Sequence, residues 1–320
     1  GDYVNKVGGS FVAYIFAHDD QQFGEDGDAS VIKCGSYAGD GNTAGPEINL
    51  GWEPQWILIK RCDSPNGVEN WFLWDSMRGI VSAGNDARII VNSNGAENST
   101  VDRVELTSTG FTVRTGSGEV NAAGGEYLYT AIRRPDGYVG KPPEAGTDVF
   151  AMDTGNSSST IPALDSGFPV DFGLIRKPAT AQDWWTYARL IQGKYLLTNT
   201  TAAESGDGGG VLDSNTGFYK GSGLNSTYQG WMWKRGAGFD VVTYNGTGNN
   251  QTISHSLNKA PEMMWTKGRT FSDWWGVYHK DLGTDKYLRL NTTNSEYSDS
   301  YIWQNTAPTS SVFYIGQNQA

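Results

Sequence analysis

Hydrophobic residues along the chain occur in short runs that Gly, Asn, Ser and Thr separate. The runs are rich in β-branched and aromatic residues, as in Trp56-Ile57-Leu58-Ile59 and Tyr127-Leu128-Tyr129. No segment keeps an apolar i, i+3, i+4 spacing over several turns without an intervening glycine. Short runs of this kind, bounded by turn residues, are typical of strands. The pattern therefore predicts an all-β fold.

The order of these runs repeats along the chain. A short opening strand leads through a turn to an apolar run that ends in a basic residue, and an aromatic block follows. The apolar runs lie at 56–61, 172–177 and 263–267, and the aromatic blocks at 70–72, 183–185 and 273–275. Landmarks that keep their order in this way indicate structural repeats. We therefore predict three tandem, jelly-roll-like β-sandwich repeats at 31–134, 147–235 and 236–320.

The start of the chain resembles the end of a repeat. Val120-Asn121 and Gly124-Gly125 precede the last strand of the first repeat, and Val4-Asn5 and Gly8-Gly9 precede an apolar segment in the same way. The second repeat ends in a weaker form of this pattern, whereas the third reaches Ala320 before any such strand. Residues 1–18 are therefore predicted to be a closing strand. Its assembly residues are Phe11, Val12, Ala13, Tyr14, Ile15 and Phe16.

The sequence leaves several interpretations of this segment open, one of them a frayed terminus that happens to be apolar. The segment could fold back onto the third repeat of its own chain, or it could complete the third repeat of a neighbour. Unpaired strand edges are templates for such addition, and head-to-tail contacts that do not close produce filaments. Alternatively, the residues could be a segment cut from a longer tandem polymer.

Two linkers are expected between the predicted units. Residues 19–30 are dense in acids, and residues 135–146 are rich in Pro and Gly, which makes the second linker extended and semi-rigid. Oxygen-rich loops can hold Ca²⁺, although the acid spacing here does not match an EF-hand, and a solvated linker is the alternative. The Ca²⁺ candidates are Asp19, Asp20, Asp26 and Asp28.

The two cysteines, Cys34 and Cys62, both lie in the first repeat. A disulfide between them would suit an extracellular protein, because such bonds persist in oxidising compartments. Two free thiols are the alternative. The cysteines do not have the spacing of a zinc site.

Charge and aromatic content narrow the class of partner. A net charge of −11 argues against nucleic acid, whose binders carry basic patches. No run approaches the ~20 apolar residues of a membrane helix. The 12 Trp and 16 Tyr suit sheet cores and also sugar-stacking surfaces. Since neighbouring strand residues point to opposite faces, one Trp of each pair should be exposed. The glycan-binding candidates are Trp71, Trp184, Trp185, Trp274 and Trp275.

Catalytic chemistry has no recognisable basis in the sequence. The histidines His18, His255 and His279 fall at unrelated places in the repeat, and no carboxylate pair recurs in every copy. Hydrolysis needs positioned acid, base or nucleophile groups, and glycosidases need paired carboxylates. No glycine-rich loop matches a nucleotide-binding pattern. We therefore predict a protein that is not an enzyme and needs no cofactor.

A set of short motifs in the first part of the chain resembles a repeat of phage tail-fibre and appendage proteins, especially those of marine and environmental phages. The motifs are Phe23-Gly24, Ile32-Lys33-Cys34-Gly35-Ser36-Tyr37, Leu50-Gly51-Trp52-Glu53-Pro54-Gln55-Trp56, Asp75-Ser76-Met77-Arg78-Gly79 and Ala131-Ile132-Arg133-Arg134. The resemblance is close over 11–134 and loose over the remaining residues. It implies a β-sandwich-like virion fibre module and carries over no catalytic residues.

These observations predict a structural and adhesive module on a virion surface or in an extracellular fibre. Its expected partners are other copies of itself, through strand complementation, and a cell-surface glycan. Two alternatives are kept, a secreted carbohydrate-binding protein that does not polymerise and a glycan depolymerase. Binding to glycans by single copies would favour the first, and release of reducing ends would favour the second.

Overall fold

The computed structural model of the chain describes residues 6–7, 10–19, 23, 27, 29–64, 69–134, 145–236 and 238–317. Over these ranges the regular elements are β-strands and three short 3₁₀-helices, Gly146–Asp148, Arg189–Ile191 and Lys280–Leu282. The strands pair in several antiparallel sheets. The predicted all-β class is confirmed.

The first group of strands forms two sheets that enclose one core. Its strands are β1 (Ile32–Ala38), β2 (Glu47–Asn49), β3 (Pro54–Arg61), β4 (Trp71–Asp75), β5 (Asp86–Ile90), β6 (Asn98–Val101), β7 (Val104–Thr107), β8 (Gly110–Val113) and β9 (Glu126–Arg133). One sheet has the order β1-β9-β3-β4-β5-β6 and the other β2-β8-β7. Ile57, Ile59 and Trp74 of the larger sheet share a buried cluster with Phe111 and Val113 of the smaller one. Alternation along each strand supplies these inward residues.

The second group has the same order in its larger sheet. Its strands are β10 (Phe150–Thr154), β11 (Leu164–Asp165), β12 (Phe172–Arg176), β13 (Trp185–Ala188), β14 (Lys194–Leu197), β15 (Ser205–Gly206), β16 (Gly217–Phe218) and β17 (Gln229–Trp233). The larger sheet runs β10-β17-β12-β13-β14-β15, and β11 pairs with β16. Leu164 and Phe218 of the small sheet pack with Ile175 and Met232 of the large one.

The third group is smaller. Its strands are β18 (Gln251–Ser254), β19 (Met263–Lys267), β20 (Trp275–His279), β21 (Lys286–Arg289), β22 (Tyr297–Ser298) and β23 (Val312–Ile315). The larger sheet has four strands, β19-β20-β21-β22, and β18 pairs with β23. Trp303, which is 1% exposed, packs edge-on against Tyr278 in its interior. The interpretation of the three groups as sequence repeats with the limits given above stays a prediction.

The three groups meet at a buried cluster of charges, which we call the charged junction. Glu53 accepts hydrogen bonds from Arg235 Nη1 and Nη2 at 2.8 and 2.6 Å. Arg134 pairs with Asp240 at 3.0 Å. Burial disfavours the charge of Arg235, but the nearby carboxylates, Glu53 first among them, raise its pKa above the usual value. Each of the three groups therefore contributes a charge to one buried site.

The outer faces of the second and third groups also pack against each other. The indole of Trp275 lies against Ala188 and Leu196. Its Nε1 donates a hydrogen bond to the carbonyl oxygen of Leu197 at 2.8 Å. This contact joins β20 to the β13–β14 side of the second group and buries an aromatic side chain between the two sheets.

Candidate functional site

The third group has an open strand position. In the first group β9 lies between β1 and β3, and in the second β17 lies between β10 and β12. In the third group β19 is the outermost strand of its sheet, and residues 241–245 belong to no strand. Among the residues that the structure describes, none forms a ladder with the free side of β19. Residues 241–245 stand where β1 and β10 stand in chain order, and we call them and the free side of β19 together the open position.

Three asparagines establish which residues of the three large sheets correspond. Asn92 Oδ1 accepts a hydrogen bond from the Trp71 N–H at 2.9 Å, Asn199 Oδ1 one from Trp184 at 3.0 Å, and Asn291 Oδ1 one from Trp275 at 3.0 Å. The backbone carbonyl oxygen of each of these tryptophans accepts a hydrogen bond from the backbone N–H of the residue just before the corresponding asparagine. Trp275, rather than its neighbour Trp274, therefore corresponds to Trp71 and Trp184.

The same register extends to the next strand of each sheet. Lys60 lies opposite Trp71 in the β3–β4 pair, and Lys267 lies opposite Trp275 in the β19–β20 pair. The two lysines also bond alike, because each ammonium donates to the carbonyl oxygen of the residue that follows it. Lys60 donates to Arg61 and Lys267 donates to Gly268, both at 2.7 Å. β19 therefore corresponds to β3 and β12, the strands that β9 and β17 cover.

The residues around the open position are apolar and accessible. Met263 and Trp265 on β19 are 53% and 39% exposed, and Tyr244 of residues 241–245 is 38% exposed. Burial nevertheless raises the pKa of the Tyr244 hydroxyl and lowers the pKa of the Lys267 ammonium. An apolar strand edge with unpaired backbone groups is a template for another strand.

The predicted assembly strand is itself unpaired. Residues 11–16, which we call the arm, belong to no strand of the described structure, and Tyr14 and Ile15 are 83% and 90% exposed. The base of the arm is fixed to β1, because Asp19 N–H donates to the Ile32 carbonyl oxygen at 3.2 Å and His18 Nδ1 accepts from the Cys34 N–H at 3.1 Å. The arm thus leaves the first group from a defined point.

The predicted glycan-binding tryptophans divide into three kinds. Trp71 and Trp274 are 42% and 43% exposed, as an open platform requires. Trp184 and Trp185 are half-buried. Trp184 contacts the Arg176 guanidinium and the ring of Trp231, whose centroid lies 5.3 Å from the Trp184 centroid. Trp275 is 4% exposed, so its prediction as a surface platform is wrong. The second group covers the outer face of β20, and this cover buries the ring.

Trp274 has a cation beneath its ring. The Arg289 guanidinium carbon lies 3.3 Å from the Trp274 ring centroid and 4.0 Å from that of Tyr297. Arg289 Nη2 also donates to the Tyr287 hydroxyl at 3.1 Å. A guanidinium stacked on aromatic rings holds them in place, and this arrangement leaves part of the Trp274 side chain open to solvent. Arg289 was not among the predicted site residues, although its place on the strand after the aromatic block was visible in the sequence.

The cysteines are both free. Cys34 lies opposite Thr130, with 3.6 Å between its sulfur and the Thr130 hydroxyl, whereas the Cys62 thiol donates to the Glu126 carbonyl oxygen at 3.3 Å. They lie on opposite sides of β9 and are offset along it, so the disulfide that was one of the two predictions is not formed.

The calcium prediction falls mostly on residues outside the described ones, since Asp20, Asp26 and Asp28 are not among them. Asp19 forms an ion pair with Lys33 at 3.0 Å. In the described ranges, no three His, Cys, Asp or Glu side chains form a group that could hold a metal ion.

Comparison with known proteins gives one match. A family described as "Domain of unknown function (DUF7483)" matches residues 1–134 and 191–320. No curated protein and no solved structure matches the chain. In the described part of the chain, no helix has the length and apolar character needed to cross a membrane.

Proposed function

Because the chain belongs to the DUF7483 family, whose description assigns no function, we propose a role from the geometry: a non-enzymatic structural and adhesive module of a virion or extracellular fibre, assembled by strand complementation. The observation that carries this proposal is the coexistence of the arm and the open position. One is an exposed apolar segment outside any strand, and the other is an apolar strand edge with no ladder to any described residue. The resemblance of residues 11–134 to phage tail-fibre repeats supports the virion setting.

Physical chemistry favours joining the two features. The arm exposes the large side chains of Tyr14, Ile15 and Phe16 to water. Burying apolar surface stabilises an assembly by about 25 cal/mol per Å², and a new ladder satisfies backbone N–H and C=O groups on both strands. Strand addition therefore uses both unpaired surfaces at once.

Removal of the arm tests the proposal. We expect a chain without residues 1–16 to remain as single copies at concentrations at which the parent assembles, as measured by sedimentation velocity. Ile15→Asp should have the same effect, because a carboxylate would have to enter an apolar interface without a partner. The deletion and the substitution together separate loss of the arm from a folding defect.

A matched control is available on another exposed strand end. Val91 is 55% exposed and lies outside both the arm and the open position, so Val91→Asp should assemble like the parent. The proposal fails if the shortened chain assembles as the parent does.

A secreted carbohydrate-binding protein is the second candidate, and the open rings of Trp71 and Trp274 favour it. Aromatic faces with nearby polar groups suit the apolar faces of sugars. Single copies without the arm should then bind on a glycan array, and Trp71→Ala with Trp274→Ala should lose that binding. Release of reducing ends from the bound glycan would instead support the depolymerase alternative.

A further inference from the structure

We propose that the arm of one copy occupies the open position of a second copy in a defined register, with Tyr14 opposite Trp265, Ile15 opposite Met264 and Phe16 opposite Met263. This inference rests on the proposed function, and it names the partner strand and its alignment. In this position the arm would pair with β19 on one side and with residues 241–245 on the other. The third large sheet would then gain the two strand positions by which it differs from the first two.

The register follows from the first two groups. Leu58, which corresponds to Trp265, lies opposite Thr130, and Leu174 lies opposite Trp231. The Val-Asn and Gly-Gly pattern places Tyr14 in the arm at the position of Thr130 in β9. Tyr14 is therefore the residue that should face Trp265.

The facing side chains suit this alignment. The pairs Ile57–Ala131 and Gly173–Met232 are buried in the first two cores. Ile15 and Met264 would form the corresponding inward pair. A shift of one residue would instead turn the inward side chains outward, which is why register is strongly specified where one face is buried.

The residue at the base of the arm is also consistent with this register. An acid precedes each of the strands β3, β12 and β19, namely Glu53, Asp171 and Glu262. The residue two places after the Phe16 position is Arg134 in the first group and Arg235 in the second, and both lie close to the acid of their own group. In the arm this residue is His18, so Glu262 would face an imidazole.

The anchoring of the arm favours a second copy over the same chain. His18 and Asp19 are held at the start of β1, and among the described residues none forms a ladder with residues 11–16 or with the free side of β19. A strand that closed its own third group would be seated there. If each arm enters the third group of another copy, the copies join head to tail in an open series.

Cysteine crosslinking tests the register in the full chain. In a background with Cys34→Ser and Cys62→Ser, one variant carries Tyr14→Cys and a second carries Trp265→Cys. Opposite residues of paired strands have Cα atoms 4.5–5.5 Å apart, within the range of a disulfide. Mild oxidation of an equimolar mixture should convert about half of the chains to a species of two chains on a denaturing gel, because random assembly places half of the Tyr14→Cys arms against a Trp265→Cys edge. Val12→Cys mixed with Trp265→Cys is the control and should crosslink at least tenfold more slowly.

The outcomes separate the inference from the proposed function. Faster crosslinking at position 12 would overturn the register. If a single chain carrying both Tyr14→Cys and Trp265→Cys closes on itself at high dilution, the second-copy assignment is wrong. If no mixture crosslinks although the arm is still required for assembly, the open position is not the acceptor. If neither assembly nor crosslinking occurs, the proposed function itself fails.

Discussion

Replacing Glu53 with alanine is expected to lower the free energy of unfolding by about 3–5 kcal/mol, because it leaves a buried guanidinium without its main partner. Glu53 is 5% exposed and binds Arg235, which is 4% exposed, through both carboxylate oxygens. Arg134 Nε also lies 3.5 Å from Glu53. Denaturant unfolding followed by tryptophan fluorescence measures the change.

An exposed ion pair provides the control for this substitution. Glu296 pairs with Lys286 at 2.6 Å, and that hydrogen bond raises the pKa of the Lys286 ammonium. Because solvent screens exposed pairs, Glu296→Ala should leave stability unchanged within error. Glu53→Met combined with Arg235→Met should cost less than Glu53→Ala, since it leaves no unpaired charge at that site. An unfolding curve for Glu53→Ala that matches the parent would contradict the role given to the charged junction.

Trp275→Ala is the second substitution with a large expected effect, a loss of about 3–5 kcal/mol from a cavity between two sheets. The ring packs on Ala188 and Leu196, and its Nε1 donates to the Leu197 carbonyl oxygen. Removing the indole deletes the apolar contact and the shorter of two hydrogen bonds to that carbonyl, which keeps the one from the Thr200 N–H at 3.3 Å. Thermal unfolding should show the third group losing structure at a lower temperature.

Trp71 is the matched control because it has the same place in its own sheet. Its N–H binds an asparagine as that of Trp275 does, but its side chain is 42% exposed. Trp71→Ala should therefore change stability far less than Trp275→Ala. Equal losses for the two variants would mean that the interface between the second and third groups contributes little.

Much of the fold could be predicted because strand formation depends on local pattern. Alternating and β-branched runs place residues such as Ile57, Ile59 and Ile175 on inward faces, and the turn residues between runs end the strands. The exposed arm could also be predicted, because its similarity to β9 is visible in the sequence. The third repeat was predicted as one possible acceptor, but the free edge of β19 and the lack of a strand at 241–245 were not predicted.

The cysteine and tryptophan predictions depended on information that local pattern does not hold. Whether Cys34 reaches Cys62 depends on the strand inserted between β1 and β3, and whether a Trp is open depends on what covers its sheet. Trp71 and Trp275 have the same local environment, yet only one is buried. No spacing within the aromatic blocks distinguishes them.

The sequence by itself determined the all-β class, the inward faces of the strands and the apolar character of the arm, because each depends on residues close together in the chain. Tertiary structure alone decided that Glu53 meets Arg235, that the second group covers Trp275 and that β19 has a free edge. These features arise between residues far apart in sequence, where the relative placement of whole sheets sets each contact and its burial.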